Sequence, residues 1–418
     1  MKSNMVKTLK LLLTVVILMS FSLANSQENK LNKTEVAEDL NVIISNIRDN
    51  YIYLKDRNVD LDCIAESYKK KIDQLKTEEE TLLFFEYLIY EFYDSHLMLM
   101  TNSHNSYRLD SPIYAVIKHG KAYIKNVWQT KFENLDLNIV NAEIIKFNGI
   151  DFAGKIDDFP TVCSDKSDPE IREWIANKVL SGRYSEPRVL TLKLENGKIV
   201  EFDLDQLKPK NNPGLLATEI VDQIGIIRIN NSLGNNGLIA EFDRALEELF
   251  DTEGLIIDLR NTASGGNTYV ARGIMSRFID EDLPYQKHQV FDESWDNQTP
   301  IKRSWAEYVS PRGEHYKQPI VVLVNRWTGS MGEGLAIGFD ALNRAEIVGT
   351  EMKRLAGGST SDFSFIHQRY NYKLITEKLF HLNGTPREKF VPEWYVNQTL
   401  VKKDEILEKG LELLKVKD

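Results

Sequence analysis

Between Asn32 and about Met100, apolar residues return every three or four positions, as in Leu40, Ile43, Ile44 and Ile47, and again in Leu82, Phe85, Leu88, Ile89 and Phe92. That period places them on one face of successive helices and predicts a helical unit over residues 30–102. The pattern shifts toward alternation in Asp94-Ser95-His96-Leu97-Met98-Leu99-Met100. From 105 to 207, short apolar runs separated by polar turns predict strands at Ile113 to Ile117, Ala122 to Val127, Glu143 to Phe147, Val189 to Leu194 and Ile199 to Leu204. Asn148-Gly149 and Asn196-Gly197 supply turn chemistry, because both residue types tolerate positive φ.

From 215 to 418 the pattern alternates. Strands are predicted at Ile224 to Ile229, Gly254 to Leu259, Ile320 to Asn325 and Glu346 to Val348, and helices at Leu238 to Phe250, Tyr269 to Phe278 and Met331 to Leu342. Strand and helix in turn predict an α/β unit with a largely parallel sheet covered by helices.

At the front, Lys2, Lys7 and Lys10 precede the apolar run Leu11 to Leu23 and the small polar residues Ala24-Asn25-Ser26. This order reads as a signal peptide over 1–26, so the mature chain is expected to be exported to a periplasmic or extracellular space. The run is shorter than the roughly 20 residues a membrane span needs, and no later segment is apolar enough, so no integral membrane segment is expected in the mature chain. No cysteine follows the run where a lipid anchor would require one.

The chain has 418 residues, which suits two or three domains. A hydrophobic fraction of 42% with 27% charged residues is a globular balance, and a net charge of -10 opposes capture of nucleic acid. Cys63 and Cys163 are too few for a disulfide framework. One bridge is conceivable, but the two fall in different predicted domains, so two separate thiols are expected. The histidines show no metal-ligand spacing, and neither metal nor cofactor is expected.

Two segments could carry chemistry. The buried-strand pattern Pro319 to Asn325 runs into Arg326-Trp327-Thr328-Gly329-Ser330-Met331-Gly332-Glu333-Gly334 and then a helix. Ser330 thus falls on a strand-to-helix turn, where free N–H groups face outward. Taken alone, the same position suits an ordinary helix N-cap serine. Upstream, Gly254 to Asn261 leads into Thr262-Ala263-Ser264-Gly265-Gly266-Asn267, a glycine turn whose amides can approach a ligand.

Together, L-I-I-D-L-R-N with its glycine pair and V-V-L-V-N with T-G-S-M-G-E resemble the C-terminal processing peptidase and tricorn core family, which reads D-L-R-x-N-x-G-G and T-x-S-x-x-E. The resemblance implies a crotonase/Clp-protease-like α/β core, behind an N-terminal helical cap and a PDZ-like β domain. Ala142 to Ile150 is itself similar to the D-x-I-x-x-I-N-G strand and turn of PDZ modules, a plain β domain being the alternative. No G-L-G-F carboxylate loop accompanies it, which leaves a tunnel between domains as the other route for a peptide.

Residue by residue, the resemblance makes Ser330 the nucleophile and assigns the oxyanion donors to the N–H of Met331 and of Gly265 or Gly266. Members that use a lysine base carry it where this chain has Leu355, and Lys353 lies two positions early. The tricorn branch uses a histidine from an S-H step, here Ser95-His96, and a glutamate before V-x-P, here Glu388. His96 is therefore expected as general base, with Ser95 and Glu388 orienting it. Glu333 is expected to be a helix-start or sheet-packing carboxylate rather than a base. The implied activity is serine endopeptidase hydrolysis of polypeptides near their C-termini. The alternative is a non-catalytic carrier of a small ligand or peptide on the same fold.

Overall fold

The structure is a computed structural model and describes residues 31–57, 59–292, 301–358 and 362–415. The segment read as a signal peptide, 1–26, lies outside the described residues. Helices α1 (Lys33–Asn50), α2 (Leu61–Lys71) and α3 (Glu78–Tyr90) open the fold and lead into a short strand, β1 (Met98–Met100). Each start carries a side-chain cap: Asn32, Asp60 and Thr77 accept from the first-turn amides of their helices. The apolar faces of these helices are buried, with Val36, Ile43, Ile47, Phe85, Leu88 and Ile89 fully inaccessible.

Next come β2 (Ile113–Lys118), β3 (Lys121–Val127), β4 (Glu143–Phe147), β5 (Ile150–Asp151), helices α4 (Phe152–Asp157) and α5 (Pro169–Ser181), then β6 (Val189–Lys193) and β7 (Ile199–Asp203). The strands form one sheet in the order β2-β3-β4-β6-β7, with β5 folded back on β4. The strands fall where the alternation places them. The two helices were not anticipated, and α5 is started by Asp168, which accepts from Glu170 and Ile171, with Pro169 in its first turn.

The last part contains β8 (Leu216–Val221), β9 (Ile224–Ile229), α6 (Leu238–Glu248), β10 (Gly254–Asp258), α7 (Thr268–Met275), β11 (Leu283–Asp292), β12 (Ile301–Val309), β13 (Ile320–Val324), α8 (Met331–Ala341), β14 (Ala345–Gly349), β15 (Asp362–Ser364), β16 (Asn371–Lys373), β17 (Lys378–Phe380), β18 (Trp394–Tyr395) and α9 (Glu405–Lys415). Its main sheet runs β18-β14-β13-β10-β9-β8 and is parallel except for β8 against β9. Successive side chains on a strand face opposite sides. Accordingly Leu255, Ile257, Ile320, Val322 and Val324 join the core with α6, α7 and α8, while Ile256, Val321 and Leu323 pack toward α9.

Two further pairings matter for the site. Strand β1 at the end of the helical region pairs antiparallel with β16, Leu99 opposite Tyr372, and the Ile52 N–H donates to the Ile375 carbonyl at 3.0 Å. The front of the chain is therefore stitched to its last third. The β11–β12 hairpin, which the sequence pattern did not signal, carries β17 on its edge.

The expectation of two separate thiols is overturned. Cys63 on α2 and Cys163 in the loop after α4 form a disulfide across 100 residues. The helical and β regions share one continuous apolar core, and that packing brings the two cysteines together despite their separation in sequence. Cutting this long loop open, by Cys63→Ser, is expected to lower unfolding stability by about 2–5 kcal/mol. Denaturant titration of parent and variant, without reductant, measures it.

Candidate active site

Strands β10 and β13 are neighbours in register, Asp258 opposite Leu323, so the loops leaving their C-terminal ends emerge side by side. Several bonds then lock one loop to the other. The Leu259 N–H donates to the Leu323 carbonyl at 2.9 Å, the Thr328 hydroxyl to the Leu259 carbonyl at 3.1 Å, and the Gly329 N–H to the Thr262 carbonyl at 3.3 Å. The result is close contact between Gly265 and Ser330. A methyl group on Gly265, whose φ is +68°, would lie 2.4 Å from the Ser330 Cβ. Only glycine fits there.

Ser330 has φ 50° and ψ −111°, a backbone conformation that a non-glycine residue holds at a cost of about 1–3 kcal/mol. It stands at the N-cap of α8, in a capping box where Glu333 accepts from its N–H at 2.8 Å. Its hydroxyl also faces His96, whose Nε2 lies 3.4 Å from Oγ.

His96 is buried and sits two residues before β1, so the β1–β16 pairing delivers it to the core region. Asp94 fixes its main chain, accepting from the His96 N–H at 2.9 Å, while the Asp94 carboxylate is itself held by the Tyr51 hydroxyl at 2.7 Å and Arg57 at 3.3 Å. The ring nitrogen Nδ1 lies 2.9 Å from the Ala356 carbonyl. A carbonyl only accepts, so Nδ1 carries the proton and Nε2 presents its lone pair to Ser330.

The orienting partner is thus a main-chain carbonyl, and the two expected side chains do not fill that role. Ser95 is exposed, and its hydroxyl accepts from the Trp174 indole N–H at 3.0 Å, in the turn that the Leu97 N–H closes on the Asp94 carbonyl. Glu388 lines the same cavity, as does Tyr53, and its Oε2 is buried without a hydrogen-bond partner among the described residues. Burial raises the Glu388 carboxyl above its ordinary range.

The segment around Ala356 is held by two buried side chains. Glu333, one turn into α8, accepts from the N–H groups of Ser330 at 2.8 Å, Arg354 at 2.8 Å and Leu355 at 3.2 Å. From the other side Arg387 donates to the carbonyls of Leu355, at 3.0 Å, and Gly357. Glu333 therefore ties the turn bearing Ser330 to the strap that orients His96. Sequence reasoning placed Glu333 at the helix start but could not see the strap, since Ala356 acts through its main chain.

Of the two glycines proposed as amide donors, Gly265 gives its N–H to the Thr262 carbonyl at 3.0 Å. The N–H groups of Gly266 and Met331 have no hydrogen-bond acceptor among the described residues. Lys353, the alternative base, is committed elsewhere: its Nζ pairs with Asp110 at 2.6 Å and donates to the Ala263 carbonyl at 3.1 Å. Ser330, His96, Gly266, Lys353, Ala356 and Glu388 border one cavity of about 1960 Å³.

Burial pushes the His96 imidazole down to about 4, assisted by the Arg387 and Lys373 cations and opposed by the Ala356 carbonyl and Asp94. The folded value lies below the ordinary one, so the unfolded chain takes up this proton first. Stability is therefore lost as pH falls from about 6.5 toward 4. Activity follows the same group: kcat/KM is expected to stay level from pH 8 to about 5 and to halve near 4. A midpoint near 7 would instead assign the limb to Glu333, which burial pushes up to about 7 against the pull of Arg387 and its three amide bonds.

Residues 223–392 match the family described as Peptidase family S41, and residues 32–89 match the Tricorn protease C1 domain. The chain is a serine-type peptidase on a mixed α/β fold. Over residues 223–392 it is similar to peptidase family S41. No curated protein matches it in sequence. Among solved structures it is similar to mature CPAF complexed with lactacystin, at TM-score 0.62 and 14% identity over 92% of this chain and 97% of that one. It is also similar to the photosystem II D1 C-terminal processing protease, at TM-score 0.54 and 12% identity over 87% and 93% of the two chains. A putative peptidase from Parabacteroides merdae ATCC 43184 gives TM-score 0.54 and 16% identity over 92% and 98%.

Proposed function

We propose that this peptidase works through an acyl-enzyme, with Ser330 as nucleophile and His96 as general base. The observation that carries the reading is the Ser330 Oγ to His96 Nε2 approach of 3.4 Å on an imidazole whose other nitrogen is already committed. His96 takes the hydroxyl proton as Oγ attacks the scissile carbonyl, then returns it to the leaving amine; water repeats the cycle on the ester. The Gly266 and Met331 N–H groups bind the oxyanion of the tetrahedral intermediate, with Gly265 supplying the close packing that places them. Ala356 and Asp94 hold the imidazole, and Glu388 stands in the same cavity as an acceptor for a water or substrate N–H.

The substrate is a polypeptide cut near its C-terminus. A cavity wide enough for an extended chain supports this, as does similarity to a structure named as a C-terminal processing protease. The cap over 30–102 and the β region over 105–207, read as PDZ-like, form the walls of that cavity. Its antiparallel strands with a helix packed on β2 support the PDZ-like reading. The disulfide supports export to an oxidising periplasmic or extracellular space.

Incubation with a peptide library followed by mass spectrometry tests the proposal. The parent is expected to release C-terminal fragments and Ser330→Ala to release none. Equal cleavage by both would overturn it, and binding without cleavage by the parent would favour the carrier.

A further inference from the structure

The chain as a whole is acidic, at -10, yet the side chains lining the catalytic cavity include ten Lys and Arg against seven Asp and Glu. Several of these cations are already neutralised. Lys353 pairs with Asp110, Lys378 with Asp56, and Arg57 with Asp94. Lys178 is different. It is half-buried on α5 and, among the described residues, forms no ion pair within 4.0 Å, Glu86 and Asp110 acting on it from farther off. Its Nζ lies 4.6 Å from the Tyr90 ring centre, 5.6 Å from that of Trp174 and 6.0 Å from that of Tyr107. Three aromatic faces stabilise a cation there without consuming its hydrogen-bond donors.

The cage is next to the chemistry. Trp174 donates to the Ser95 hydroxyl at 3.0 Å, and Ser95 is the immediate neighbour of His96. The helix bearing Lys178 is pinned by Asn177, which exchanges bonds of 2.9 and 2.8 Å with the main chain of Ala115 on β2. Burial lowers the Lys178 ammonium to about 8, with Glu86 and Asp110 acting against that shift. The desolvation cost is met only in part, and an incoming anion would restore the remainder.

Building on the peptidase reading of this cavity, we propose that Lys178 is a specificity-determining residue that holds a carboxylate of the bound peptide. Two sources share that chemistry: the α-carboxylate of a substrate C-terminus and the side chain of an Asp or Glu. An aromatic-walled ammonium excludes an apolar group from the spot at the same time as it rewards a carboxylate.

The test uses matched peptides on the full mature chain: one with a free C-terminus and its C-terminal amide, and one with an internal Glu and its Gln counterpart. Parent enzyme is expected to prefer the carboxylate member of at least one pair by about tenfold or more in kcat/KM. The pair showing the preference identifies the source. Lys178→Met, which keeps the stem against the three rings, is expected to bring that ratio near one, mainly through KM, while Lys178→Arg retains it. Thermal melting confirms that each variant is folded. Loss of the ratio in a folded Lys178→Met supports the proposal. An unchanged ratio in that variant, or no preference in the parent, overturns it. If the parent cleaves no peptide, or Ser330→Ala cleaves as well as parent, the peptidase reading of the cavity falls first and the inference with it.

Discussion

His96→Ala will reduce peptide hydrolysis by roughly four to six orders of magnitude in kcat, and Ser330→Ala will do the same without further loss when the two are combined. Groups that act as one unit are not additive, so the double variant should match the singles. Lys353→Ala provides the contrast. Its ammonium pairs with Asp110 and braces the Ala263 carbonyl. With that ammonium already committed, its removal is expected to cost within about tenfold, through loosening of the Gly265-Gly266 loop. Steady-state kinetics on one peptide substrate measures all three, and a Lys353 effect as large as that of His96 would reassign the base.

Glu333→Gln will strike both halves of the site at once. The parent carboxylate accepts from three amides, on the Ser330 turn and on the strap whose next carbonyl holds His96. An amide in its place turns one acceptor into a donor facing donors, and a buried N–H left without a partner costs about 1–3 kcal/mol. A stability loss in the range of about 2–4 kcal/mol is expected. A fall in kcat of about a hundredfold should accompany it as nucleophile and base drift apart.

The pH dependence separates charge from geometry. The folded Glu333 carboxyl sits at about 7, above its ordinary value, so the stability linked to its proton is present at low pH and is lost as pH climbs through 7. The variant has no such proton. The gap between parent and variant should therefore narrow between about pH 5 and 8, measured by denaturant unfolding across that range.

The parallel core was legible because its strands are buried on both faces. Runs such as Leu255 to Ile257 and Ile320 to Val324 have no reading other than interior strand once helices flank them. Ser330 and the glycine pair were legible for the same reason, since their loops leave adjacent strands at one end. What the sequence hid acts through the main chain or across distant packing. The Ala356 carbonyl orients His96 with no side-chain signature. The α2 to α4-loop disulfide depends on a core shared between two regions that local periodicity presents as separate. Helix α5 was missed because its Trp174 and Lys178 face a cavity and blur the apolar stripe, although Asp168-Pro169 marks its start. The bond from Trp174 to Ser95 was hidden too, since it joins a turn to a helix that the sequence pattern did not signal.

The most direct measurement of the Ser330 and His96 partnership is covalent labelling by a fluorophosphonate, followed by intact mass and peptide mapping. One adduct on Ser330 in the parent, none in Ser330→Ala, and labelling at least about a thousandfold slower in His96→Ala are the predicted results. Labelling of His96→Ala at the parent rate, or an adduct on another residue, would contradict the account.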